Sequence, residues 1–132
     1  MRRRLLAVTV LALAGCSSGL NRPVSEVTAK QDADGVQRVR VVAHSFYFEP
    51  NRVQVKVGVP VELTIKNSAT FVPHNLSCPT GTGGMLVEQD VGMFRSQKVV
   101  KFTPTTTGEY AFFCHVDGHA KKGMKGTFVV VP

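Results

Sequence analysis

The segment "NRVQVKVGVPVELTIKN", residues 51–67, constrains this chain more than any other part of it. Val53, Val55 and Val57 alternate with Gln54 and Lys56, and Val61, Leu63 and Ile65 alternate with Glu62, Thr64 and Lys66. A period of two puts the apolar side chains on one face of a strand and the polar ones on the other. Similar runs occur at "QRVRVVAHSF", "FVPHNLSC", "QKVVKFT", "EYAFFC" and "GTFVVVP". Turn sequences such as "FEPN", "VGVP", "TPTTTGE" and "VDGH" separate them. No ten-residue stretch in this part of the chain has a helical period. Seven short strands at this spacing predict an all-β fold, a Greek-key β-sandwich of about seven to eight strands over residues 37–132. Residues 79–95, "PTGTGGMLVEQDVGMFR", lack a clear period and read as an irregular excursion.

The chain of 132 residues has room for one domain. Its start belongs to something else. "MRRR" is a short basic region, and the apolar run "LLAVTVLALA" is too short to span a membrane as a mature helix. Residues 1–15 therefore read as a secretory signal. The run ends in "LAGC", which resembles the lipobox of bacterial lipoproteins and makes Cys16 the expected lipidation site. A plain signal peptide cut near Ala14 is the alternative. Residues 16–36 are polar, rich in small side chains and without period, as expected of a flexible tether from a lipid anchor. Both readings place the domain outside a bacterial plasma membrane, in the periplasm or at the cell exterior. Removing residues 1–15 leaves 132 − 15 = 117 residues and takes away three arginines, so the formal charge falls from +7 to +4. With no dense basic run and no basic-aromatic interleaving, nucleic acid is not an expected partner.

Soft metal ligands gather near the C-terminus. "AFFCHVDGHAKKGMK" holds Cys114, His119 and Met124 between two candidate strands, so they share one end-loop. The Asp117–Gly118 turn swings His119 back toward Cys114. His74 lies at the end of another strand. One thiolate, two imidazoles and one thioether suit copper: sulfur favours Cu(I), imidazole tolerates both oxidation states, and a trigonal His₂Cys plane with a weak axial Met changes little on electron transfer. Structural zinc rarely takes a thioether, and no C-x₂-C pair is present. Haem c needs C-x-x-C-H, which is absent. An oxidising compartment also permits a Cys78–Cys114 disulfide, which would remove the thiolate.

These residues bear a specific resemblance. "GEYAFFCHVDGHAKKGMKG" is similar to the C-terminal signature of cupredoxins of the plastocyanin/azurin type, "PHN" at 73–75 resembles their upstream ligand motif, and "FYFEPNRVQVKVGVPVELTIKN" resembles their early strands. The resemblance covers roughly residues 38–132. It implies His74, Cys114, His119 and Met124 as ligands of one type 1 copper ion, cycling between Cu(I) and Cu(II). It implies that Asn75 joins the upstream loop to the Cys114 loop by hydrogen bonds. Two features depart from the common pattern. The spacing C-x₄-H-x₄-M is longer than in plastocyanin, and no proline stands between Cys114 and His119. An additional backbone N–H can then reach the Cys114 sulfur, which would lower the reduction potential.

The expected function is one-electron carriage between redox proteins at the cell envelope, by a monomer that is not itself an enzyme. Multicopper enzymes need further copper sites that four histidines cannot supply. The alternative is copper storage, delivery or sensing, in which Cys78, Met85 and Met93 would form a transfer surface. With Cys114 on the metal, Cys78 is expected as a buried thiol. His115 is expected on the opposite face from Cys114, and His44 without metal. Lys121, Lys122 and Lys125 surround the expected electron exit at an exposed His119 edge and would steer an acidic partner.

Overall fold

The computed structural model describes residues 22–132. Eleven strands form: β1 (Glu26–Thr28), β2 (Lys30–Gln31), β3 (Gln37–His44), β4 (Tyr47–Glu49), β5 (Arg52–Lys56), β6 (Val61–Asn67), β7 (His74–Pro79), β8 (Met85–Gly92), β9 (Gln97–Phe102), β10 (Gly108–Phe113) and β11 (Lys125–Val131). The only helical element among the described residues is a 3-10 turn, Ala120–Lys122. One sheet runs β1-β5-β11-β10-β7-β8 and the other β2-β3-β6-β9, with β4 paired to β3. Both are mixed. β5 lies parallel to β1 and β11, and β3 lies parallel to β6, while the remaining pairs are antiparallel.

The alternation along residues 51–67 decides the core. Val53 and Val55 of β5, and Val61, Leu63 and Ile65 of β6, are all buried, as are Val41 and Ala43 of β3. Their faces meet around three phenylalanines. Phe112 packs edge-on to Phe48 at 5.2 Å between ring centroids and lies 4.8 Å from Phe128. Gly126 makes this packing possible, since a Cβ there would sit 2.2 Å from the Phe112 ring and 2.7 Å from the Asn51 carbonyl oxygen. Gln37 is also buried, with its amide fully used. Its Nε2 donates to the Lys56 and Val59 carbonyls at 2.8 and 3.0 Å, and its Oε1 accepts from the Lys56 N–H at 2.8 Å. It thereby fixes the turn between β5 and β6.

All seven expected strands form, and four more join them. β8, of 8 residues, forms inside the segment expected to be an irregular excursion. Val87 and Val91 point inward on it, but Gln89 falls between them on the same face and interrupts the alternation. Its partner β7 also has irregular register at both ends. β1 and β2 lie inside the expected tether. They are edge strands of three and two residues, too short to show a period, and they are ordered by pairing with β5 and β3. A tether from Cys16 is therefore shorter than residues 16–36. Cys16 and the signal segment 1–15 lie outside the described residues.

Candidate metal centre

Four loops converge at one end of the sandwich. His74 opens β7, and its approach is shaped by Asn67, the last residue of β6. The buried Asn67 amide donates to the Val72 carbonyl at 2.8 Å and the Gly92 carbonyl at 2.6 Å, while its Oδ1 accepts the Ala69 N–H at 2.7 Å. Cys114 follows β10 directly. Its N–H donates to the Met124 carbonyl at 3.1 Å, and the Met124 N–H donates to the His119 carbonyl at 3.2 Å. The chain between them turns at Gly118, with φ of 75°, then passes through the 3-10 turn and Gly123, with φ of 93°. Only glycine takes these conformations without strain. The loop thus closes on itself before β11 begins.

The four predicted ligands are all buried. Cys114 and Met124 are fully enclosed, His74 is 2 % exposed and His119 is 7 % exposed. Donor atoms of His74, Cys114 and His119 lie within 4.8 Å of one another, and Cys114 Sγ is 3.5 Å from His119 Nδ1. Neither ring nitrogen of His74 has a hydrogen-bond partner. An imidazole buried with both nitrogens unsatisfied is costly by itself. A soft cation placed between it, the thiolate and His119 removes that cost, so the residues present fit copper. Burial, with the charges of His119 and His44 adding to it, pushes the His74 pKa down to about 4. Burial and Lys122 lower that of His119. Both shifts favour the neutral rings that metal ligands must be.

The supporting residues are placed as follows. Asn75 donates its backbone N–H to Cys114 Sγ at 3.4 Å, and its Oδ1 accepts the His115 N–H at 2.8 Å. It does join the two ligand-bearing loops. His115 points outward and is half-exposed. His44 stays out of the centre: its Nδ1 lies 2.9 Å from Ser68 Oγ and its ring stacks on Tyr47 at 4.4 Å. Cys78 and Cys114 are both free thiols, and burial raises the Cys78 pKa to about 12. The disulfide alternative is thus excluded, and Cys78 is an inert core residue.

One expectation changes. His119 does not present an open edge to solvent, because Phe46 packs against it at 4.7 Å between ring centroids and Lys122 Nζ sits 4.0 Å above the Phe46 ring. Phe46 also meets the His74 ring edge-on at 6.5 Å. Phe46 and Asn67 shape the centre although sequence reasoning did not single them out. Phe46 lies in the turn between β3 and β4, where no period could mark it. The side-chain bonds of Asn67 join segments brought together only by folding.

Comparison with solved structures gives many close folds. The metal-binding domain of the Streptococcus pneumoniae D39 Cu(I)-exporting P-type ATPase CopA, with Cu(I), is 26% identical over 84% of this chain and 100% of that one, with a TM-score of 0.64. Auracyanin A, a blue copper protein of Chloroflexus aurantiacus, is 19% identical over 74% of this chain and 100% of its own, with a TM-score of 0.66. Rusticyanin of Thiobacillus ferrooxidans is 20% identical over 79% and 86%, with a TM-score of 0.60. No curated protein sequence matches. The family model of the cupredoxin-like domain matches residues 5–130. With that match laid over a two-sheet sandwich whose end holds an unpartnered histidine, a thiol, a second histidine and a thioether, the chain belongs to the cupredoxins, a copper-binding family.

Proposed function

We propose that this protein is a type 1 copper protein that carries single electrons between redox partners at the cell envelope. His74, Cys114, His119 and Met124 would hold the ion. When bound there, copper supplies one-electron exchange between Cu(I) and Cu(II). The protein's part is to keep both imidazoles neutral, to hold the thiolate between two loops and to keep water out. The single observation carrying this reading is the burial of the whole donor set around a histidine with no other partner. A site built to hand metal to another protein needs ligands an acceptor can reach. A buried and pre-arranged set suits a resident ion whose electron leaves through the protein.

The domain is proposed to act without catalysing a reaction of its own, as a monomer. Cys16 is proposed to anchor it by lipid on the outer side of a bacterial membrane. No helix among the described residues is long and apolar enough to cross one. Copper storage, delivery or sensing is the second reading, favoured by the likeness to the exporter's metal-binding domain. Met85 and Met93 are exposed and could serve it, whereas Cys78 is fully buried.

Adding Cu(II) to the soluble domain tests the choice. The expected result is an intense blue or green colour, lost in Cys114→Ser. A colourless protein with weakly held copper overturns the electron-carrier reading. Rapid Cu(I) transfer to an acceptor, slowed in Met85→Ala or Met93→Ala with unchanged colour, would establish the second.

A further inference from the structure

Asn75 is fully buried, and every polar atom of its side chain is committed. Its Oδ1 accepts the His115 N–H at 2.8 Å. Its Nδ2 donates to Glu88 Oε1 at 2.7 Å and Ser77 Oγ at 2.9 Å. The Ser77 hydroxyl in turn donates to Glu88 Oε2 at 2.7 Å. Each carboxylate oxygen of Glu88 thus receives one hydrogen bond from the buried pair, and Oε1 also lies 3.1 Å from His115 Nε2. Glu88 faces Ser77 directly in the register of β7 and β8, so the sheet holds the carboxylate in place.

We propose that Glu88 is a positioning residue for the metal centre, fixing the orientation of the Asn75 amide that ties the His74 loop to the Cys114 loop. The inference rests on the ligand set assigned above. The reason lies in the donor and acceptor inventory. An ionised carboxylate only accepts hydrogen bonds. Asn75 must therefore turn its NH₂ toward Glu88, which leaves Oδ1 facing the His115 N–H. Without the carboxylate, the amide could rotate and turn its NH₂ toward the His115 N–H, and the tie between the loops would be lost. The same residue donates its backbone N–H to Cys114 Sγ, so its movement is felt at the sulfur. Hydrogen bonds to an ionised acceptor are about twice as strong as neutral ones, which suits a residue that must set an orientation. A mere surface ion pair with His115 would do none of this.

The test uses Glu88→Ala and Glu88→Gln with two readouts. In the metal-free protein, amide hydrogen exchange at His115 is followed by NMR and normalised to amides of the core strands. Loss of an anchored hydrogen bond should speed His115 exchange about tenfold in Glu88→Ala. Glu88→Gln keeps an acceptor oxygen for Asn75 and should retain most of the protection. In the Cu(II) protein, Glu88→Ala should shift or weaken the thiolate charge-transfer band, and Glu88→Gln should largely restore it. Unchanged exchange and an unchanged band in Glu88→Ala overturn the proposal. Equal shifts of the band in both variants, with exchange unaltered, also overturn it, since charge alone would then account for the effect. If the wild-type protein gives no coloured Cu(II) form, the electron-carrier reading falls, while the exchange measurement still decides the role of Glu88.

Discussion

The Cys114 thiol stands between opposing influences. Burial raises its pKa, while the backbone N–H groups of Asn75 and Val116 lower it, and the charge of Asp90 raises it again. The Val116 contribution is what the missing proline in this loop allows. Each hydrogen bond to sulfur stabilises the thiolate most when it carries most charge, which is in the reduced site, so an added donor raises the potential, opposite to the lowering expected from the missing proline. Val116→Pro removes one such donor. It should lower the reduction potential by an amount on the order of 40 mV, equivalent to about 1 kcal/mol for one electron, as measured by redox titration. His74 gives a second prediction. Its pKa of about 4 in the folded protein lies below that of a free imidazole, mainly because of burial. Between the free value near 6.5 and about 4, the unfolded chain binds a proton that the folded chain does not. The metal-free protein should hold its full stability above that window and lose up to about 3 kcal/mol as pH falls through it. Denaturant midpoints against pH should show this slope, and His74→Gln should flatten it.

At the scale of elements, β10 and β11 carry the centre between them. β10 delivers Cys114, β11 begins just after Met124, and the two pair from Gly108↔Val130 to Phe113↔Lys125. The loop between them can close only if the strands approach closely where Gly126 faces Phe112. Gly126→Ala would force a methyl group against a buried ring and a carbonyl, neither free to move. The expected cost is about 3 kcal/mol, at the upper end for overpacking. Thermal unfolding of the metal-free protein measures it. The copper form should lose metal faster to a chelator, because Met124 lies two residues away. β7 contributes from its other end. His74 sits at a register shift against β8, which turns its ring into the space between the sheets.

At the scale of the molecule, Lys121 and Lys122 on the loop between Cys114 and Met124, and Lys125 at the start of β11, are exposed. Lys122 lies over Phe46, which itself lies over His119. The proposed partner surface is therefore a cationic layer above an aromatic cover rather than a bare imidazole edge. Charges of this kind act over about 8 Å at physiological ionic strength. Electron transfer with an acidic partner should slow roughly tenfold from low to physiological salt. Replacing the three lysines with glutamine should remove most of that dependence in stopped-flow measurements. A rate that rises with salt in the unaltered protein would rule out steering by these residues.

The sequence by itself determined the all-β class, seven strands and the four candidate ligands. Alternation along β5 and β6 is a local property, and the spacing from Cys114 to Met124 is set by one short loop. Asn75 was legible as well, because it adjoins His74 in a recognisable motif. Tertiary structure alone decided the rest. β1 and β2 exist because β5 and β3 offer them edges, and β8 is a strand despite Gln89 because β7 pairs along it. Phe46, Asn67 and Glu88 reach the centre from separate segments, and no pattern within any one of them marks the meeting. The cover over His119 has the same origin: a turn between β3 and β4 and a lysine after the second histidine become neighbours only when the two sheets pack. A ligand type can be read from its spacing, but what encloses it and holds its hydrogen bonds is fixed by contacts between residues distant in the chain.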